Sequence, residues 1–210
     1  MKKYLVVAGN IGVGKSTLVE QISLNWNWKP YFEPVSENPY LEDFYKDMKM
    51  WAFHSQLYFL TDRLRTHKEL QNFGGSVVQD RSVHEDAEIF VRNLYEEGSL
   101  SDRDFQTYHN LYRVMSSFLD PPSLVVYLKC SVDTLKKRIA RRGRPFEADI
   151  PDAYLANLNR LYDGWIENYG DSPKLIIDAD RLDFVLNPGD RDEILTMIEE
   201  GLREDQGELW

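Results

Sequence analysis

The 210-residue sequence predicts an α/β domain, a five-stranded parallel sheet flanked by helices. Two observations carry this. Short apolar runs at 4–8, 28–32, 76–79, 124–129 and 174–177 alternate with longer stretches of helical periodicity, and the first run opens into a glycine-rich loop followed by an amphipathic segment. In such a sheet ligands collect beyond the carboxyl ends of the strands, so the chemistry is sought just after each run.

The first run, Tyr4-Leu5-Val6-Val7-Ala8, leads into Gly9-Asn10-Ile11-Gly12-Val13-Gly14-Lys15-Ser16-Thr17. This is the pattern G-x-x-x-x-G-K-S/T in the strand-before, helix-after context it requires. The glycines let backbone N–H groups turn inward around an anion, and the following helix points its positive end at the same place. Lys15 adds a full charge, and Ser16 is suited to ligate the magnesium that accompanies a nucleoside triphosphate.

The weaker second run, Trp28-Lys29-Pro30-Tyr31-Phe32, is followed by Glu33, which Pro34 forces out of the helical region. The third run leads into Asp80-Arg81-Ser82, placing an acid where phosphate-loop enzymes hold the magnesium shell. Either acid alone reads equally well as a solvated carboxylate or a helix cap. After the fourth run, a helix at 132–142 carries Arg138, Arg141 and Arg142, with Arg144 beyond it. Gly143 and Pro145 break that cluster, which predicts an arginine-rich mobile lid at about residues 138–150 rather than a plain basic helix face. The last run leads into Asp178-Ala-Asp-Arg-Leu-Asp-Phe and a final helix at 190–204.

Further helical stretches are expected at 41–72, 83–119 and 152–169. Within a long helix at 49–70, Gln56, Phe59, Leu60 and Arg63 share one face. Two hydrogen-bonding heads among apolar side chains fit a slot in which Gln56 reads a base edge with one donor and one acceptor. A structural ion pair at Arg63 is the plainer alternative. Asp86 and Phe90, at i and i+4 of the next helix, complete the slot: Asp86 anchors Arg63 or accepts from an exocyclic amine, and Phe90 stacks on the ring.

With 25 Lys+Arg against 35 Asp+Glu, the net charge of −10 argues against nucleic acid or an anionic membrane as the main partner. The lone Cys130 ends an apolar run and reads as a small core hydrophobe. No linker, repeat or low-complexity tract interrupts the sequence, which predicts one domain over 1–210 with an acidic C-terminal tail at about 203–210. The first strand begins too early to leave room for a cleaved signal, and no apolar run reaches membrane-spanning length, so a cytoplasmic location is expected.

Taken in order, Gly9 to Thr17, Glu33-Pro34-Val35, Asn38-Pro39-Tyr40-Leu41, Tyr45, Trp51 through Arg63, Asp80-Arg81-Ser82, Asp86, Phe90 and Arg138 to Glu147 resemble the deoxynucleoside kinase family, most closely its bacterial deoxyadenosine/deoxyguanosine/deoxycytidine branch. The resemblance implies a P-loop kinase fold that transfers the γ-phosphate of ATP, with Mg2+, to a deoxynucleoside 5′-hydroxyl. It implies Glu33 as the general base, Arg81 as the cation on the acceptor hydroxyl and phosphate, and Tyr45 with Glu147 on the sugar 3′-hydroxyl. It implies as well that Gln56, Arg63, Asp86 and Phe90 hold the base and that Asp183-Phe184 contacts the adenine of the donor. Pro145-Phe146 departs from the more polar lid of the animal relatives. A homodimer is implied too, through the helices around 83–119, where Tyr108, Tyr112 and Phe118 are available as interface or core residues. A nucleoside monophosphate kinase such as thymidylate kinase shares the loop and lid, but it needs extra arginines for the acceptor's phosphate. Gln56, Asp86 and Tyr45 suit an uncharged acceptor better. A guanine-nucleotide switch needs Asn-Lys-x-Asp after a late strand, and that tetrapeptide does not occur.

Overall fold

The computed structural model describes residues 2–33, 37–144, 147 and 150–204. Pro34, much of the expected lid and most of the acidic tail lie outside the described residues. In chain order the elements are β1 (Tyr4–Gly9), α1 (Lys15–Trp26), β2 (Lys29–Tyr31), α2 (Leu41–Lys46), α3 (Met48–Asn72), β3 (Val77–Asp80) and α4 (Val83–Glu85). A π-helical segment, Asp86–Val91, follows, and then come α5 (Arg92–Glu96), α6 (Asp102–Ser116), β4 (Leu124–Lys129), α7 (Val132–Arg142), α8 (Asp152–Asn168), β5 (Lys174–Asp178) and α9 (Pro188–Glu204). These elements form two compact units, one from Met1–Phe32, Gly74–Arg81 and Pro121–Trp210, the other from Glu33–Phe73 and Ser82–Asp120.

The first unit holds the sheet. Its five strands run in the order β2-β3-β1-β4-β5, every neighbouring pair parallel. All of β1 and β3 are buried, as strands covered on both faces must be; β1 reads as an unbroken apolar run, whereas β3 opens on Val77-Val78 and ends on the buried polar Gln79 and Asp80. Pro30 lies in β2, an edge strand, where a missing N–H costs no central ladder bond. Leu5, Val7, Leu18, Ile22, Val126, Leu128, Leu135 and Ile177 form the core. The register puts Val7 beside Asp80 and Gly9 beside Leu128, so the ends of β1, β3 and β4 lie side by side.

The second unit is helical, with Leu60, Ala87, Val91, Leu94 and Tyr108 in its core. The expected stretch 41–72 is two helices, because Asp47 caps α3 by accepting from the Met50 N–H. The stretch 83–119 is also divided. Gly98 takes a positive φ of 75°, Ser101 caps α6 by accepting from Asp104 N, and residues 86–91 carry π rather than α hydrogen bonding.

Candidate active site

In the first unit the phosphate loop is held by close packing and by one buried amide. Gly12 has φ 81°, and a Cβ there would meet Ile139 Cγ1 at 2.6 Å and Leu135 O at 3.1 Å, so the loop backbone lies directly against α7. Gly14, the N-cap of α1, has φ 107°, and a Cβ on it would lie 2.9 Å from Phe184 Cζ. Asn10 is buried; its Nδ2 donates to Leu155 O (3.0 Å) and Asn159 Oδ1 (2.8 Å), and its Oδ1 accepts from Ile11 N (2.7 Å). The Asn10 side chain is thus used in holding the loop to α8. Val13 is fully buried, whereas Ile11 and Thr17 are half-buried.

Lys15 is buried, and its Nζ donates to Gly9 O (2.9 Å) and Asn10 O (3.1 Å). Ser16 Oγ donates to Asp80 Oδ2 at 2.5 Å. A hydroxyl and a carboxylate brought together at a phosphate loop form an all-oxygen donor set, which suits Mg2+, an ion that takes one or two carboxylates and fills its shell with phosphate and water oxygens. Arg81, next in the chain, is buried with φ 66°, a left-handed conformation that costs a non-glycine residue on the order of 1 kcal/mol, and its N–H donates to Val7 O at 3.0 Å. Sequence patterns give no sign of that strain. Its position directly after a strand and the family resemblance of Asp80-Arg81-Ser82 are what single Arg81 out.

The arginines of the expected lid divide into two kinds. Arg138 donates to Val13 O and Ala179 O, both at 2.8 Å, and so ties the phosphate loop to the chain just past β5. Arg142 and Arg144 both donate to Glu147, which is buried. Phe184 is buried against the loop, and Asp183 caps its own turn by accepting from Val185 N and Leu186 N, both at 3.2 Å. Cys130 is buried and donates to Asp180; burial, and then the Asp180 charge, push its thiol up to about 12. That makes it a core sulfur and not a nucleophile.

In the second unit Gln56, Leu60 and Arg63 are buried on one face of α3, as the spacing predicts. Arg63 joins two carboxylates: Nη2 donates to Glu33 Oε1 at 2.7 Å, and Nε donates to Asp86 Oδ2 at 3.2 Å. Asp86 and Phe90 fall in the π-helical segment, so the α-helical i, i+4 spacing expected for them is not the geometry that sets them; Asp86 is buried and Phe90 half-buried. Tyr45 is half-buried, its ring edge-on to Phe44 at 5.3 Å. Two residues named from the sequence without a settled role find one here. Asn38 is buried and donates to Ser55 Oγ (3.0 Å) and Ser55 O (3.3 Å), holding the segment after Glu33 against α3. Tyr108 is fully buried in the core, and its hydroxyl is held well above the usual phenol range by burial and then by the charge of Asp86.

An all-parallel sheet whose first strand runs into this loop, with a strand-end aspartate on the loop serine, defines a P-loop kinase fold. The family model of the deoxynucleoside kinases matches residues 5–203, and the chain belongs to that family. It is 33% identical over 204 residues to a deoxyadenosine/deoxycytidine kinase of Bacillus subtilis, covering 96% of this chain and 94% of that protein. It is 38% identical over 209 residues to a deoxyguanosine kinase of Lactobacillus acidophilus, covering 95% of this chain and 91% of that protein. A solved structure of deoxyadenosine kinase from M. mycoides with bound dATP superposes with a TM-score of 0.83 at 32% identity, covering 94% of this chain and 99% of that one.

Proposed function

We propose that this chain transfers the γ-phosphoryl group of ATP to the 5′-hydroxyl of a purine deoxynucleoside, deoxyadenosine first, with deoxyguanosine or deoxycytidine as further acceptors. The observation that carries the acceptor's class is the buried Arg63–Asp86 pair beside Gln56 on α3, a donor and acceptor set that suits an amine-bearing base edge. The names of the relatives, which cover adenine, guanine and cytosine deoxynucleosides, support the same range.

In this reading the loop Gly9 to Thr17 cradles the donor phosphates, Lys15 places a charge on them, and Ser16 with Asp80 holds Mg2+, which would neutralise the phosphate oxygens when bound. Arg138, Arg142 and Arg144 serve the donor side. Phe184 and Asp183 border the donor base, a role supported by the packing of Phe184 on Gly14. Glu33 accepts the 5′-hydroxyl proton, Arg81 steadies the acceptor, Tyr45 and Glu147 hold the sugar, and Gln56, Arg63, Asp86 and Phe90 hold the base. The single cysteine, which can form no disulfide within the chain, supports a reducing, cytoplasmic setting.

Turnover with the four deoxynucleosides tests the reading: deoxyadenosine is expected to give the highest kcat/KM and thymidine the lowest, and thymidine as the best acceptor would overturn it. A companion prediction concerns selectivity. Arg63→Met with Asp86→Ala removes the amine acceptor and its cation together, so the thymidine-to-deoxyadenosine ratio of kcat/KM should rise by about 10- to 100-fold, the scale of one lost charge-assisted hydrogen bond. Arg63→Met alone takes the shared cation from Asp86, and Asp86→Ala alone leaves the guanidinium still held by Glu33 with its other acid gone, so each single change should be poorer on thymidine than the double. Because Arg63 also holds Glu33, both substrates should lose turnover, and an unchanged ratio would show that the pair does not read the base.

A homodimer is part of the proposal. Tyr108 and Tyr112 are buried within their own chain, whereas Leu111, Val114 and Phe118 are exposed along and just beyond α6. Light scattering at micromolar concentration should give twice the chain mass, and Val114→Glu should reduce it to one. A single-chain mass for the unaltered protein would dispose of the dimer.

A further inference from the structure

Glu33 stands outside every helix and strand, directly after Phe32, so no regular backbone sets the direction of its carboxylate. Arg63 does stand on such a support, the 25-residue helix α3, and its side chain is 4% exposed. Its guanidinium is a rigid plane, and two of its nitrogens hold two different acids: Nη2 holds Glu33 at 2.7 Å and Nε holds Asp86 at 3.2 Å. Side-chain exposure is 16% for Glu33 and 4% for Asp86. Three charged groups in so dry a setting act strongly on one another, and a planar fork cannot turn toward one carboxylate without changing its angle to the other.

We infer that Arg63 is a positioning residue for Glu33, so that the group reading the base through Asp86 also aims the carboxylate that takes the proton. This rests on the proposed roles of Glu33 and Asp86. A base that engages Asp86 then does more than bind, because it resets the partner of Glu33. Discrimination between bases should therefore appear in kcat as well as in KM. Lysine carries the same charge but, as a point charge without the fork, cannot hold both carboxylates in fixed directions.

The test is a double-mutant cycle read in binding, without triphosphate and without turnover. Calorimetric Kd values for deoxyadenosine are measured for the unaltered protein, Glu33→Gln, Asp86→Asn and the two together, with circular dichroism confirming that each is folded. Groups acting independently multiply their effects, whereas groups joined through one network depart from the product, here by about fivefold or more. Repeating the cycle on Arg63→Lys should bring the departure below about twofold, which a purely structural role for Arg63 does not predict. Multiplicative effects in the unaltered background overturn the inference, and so does a departure that survives Arg63→Lys. The first of these needs no change at Arg63, so it decides the matter even where Arg63→Lys fails to fold. An unaltered protein that binds no deoxynucleoside would overturn the proposed function itself, and the inference with it.

Discussion

Lys15→Ala is expected to lower phosphoryl transfer by about 10³-fold, the upper scale for removing one preorganised charge from a water-poor site. The ammonium already stands at the loop, bonded to the carbonyls of Gly9 and Asn10. The same two bonds mean that the alanine variant loses structure as well as charge. Their loss should cost about 1.5–3 kcal/mol each at most, and Tm should fall by up to about 6–20 °C without loss of the fold. The loop survives because other contacts hold it: Asn10 on Leu155 and Asn159, Gly12 against α7, and Arg138 on Val13 O. Measuring kcat with ATP and deoxyadenosine beside a thermal melt separates the two effects. Activity within a few-fold of the unaltered protein would remove the loop from the mechanism.

β1 and β4 were legible because a strand covered on both faces is apolar along nearly its whole length, and the phosphate loop was legible because its backbone turns demand glycine. Asp80 could be picked out as the end of a strand and Glu33 as lying just past one. What escaped was set by partners remote in sequence. Asn10 bonds to Asn159 and Asn38 to Ser55, and nothing local marks either amide as structural. Arg138 looks the same in sequence as its lid neighbours, yet it is fixed on two carbonyls. The breaks at Asp47 and Gly98 interrupt runs whose apolar periodicity continues through them, and the π-helical turn at Asp86 has no compositional signature. The two units also leave no linker to find, because the chain leaves the first for the second after Phe32 and after Arg81, each within a residue of a strand's end.

Glu33→Gln should lower kcat by about 10²-fold or more, the usual scale for losing a positioned base. The amide keeps the shape, and its oxygen can still accept from Arg63, so the 2.7 Å contact weakens from a charge-assisted bond to a neutral one and is not broken. Deoxyadenosine binding should therefore change only a few-fold, and triphosphate binding should not change. Glu33→Asp makes the complementary test, for it keeps the charge and withdraws it by one methylene. If the carboxylate serves only as a structural partner of Arg63, the aspartate should be the more harmful variant, since it cannot reach. If proton transfer is the issue, the glutamine variant should be slower at saturating substrate while the aspartate variant retains measurable kcat. Stopped-flow or steady-state kcat for both variants, with Kd measured separately, distinguishes these outcomes. A glutamine variant with unchanged kcat would show that another group takes the proton, and would leave Glu33 as an anchor for the base-reading arginine.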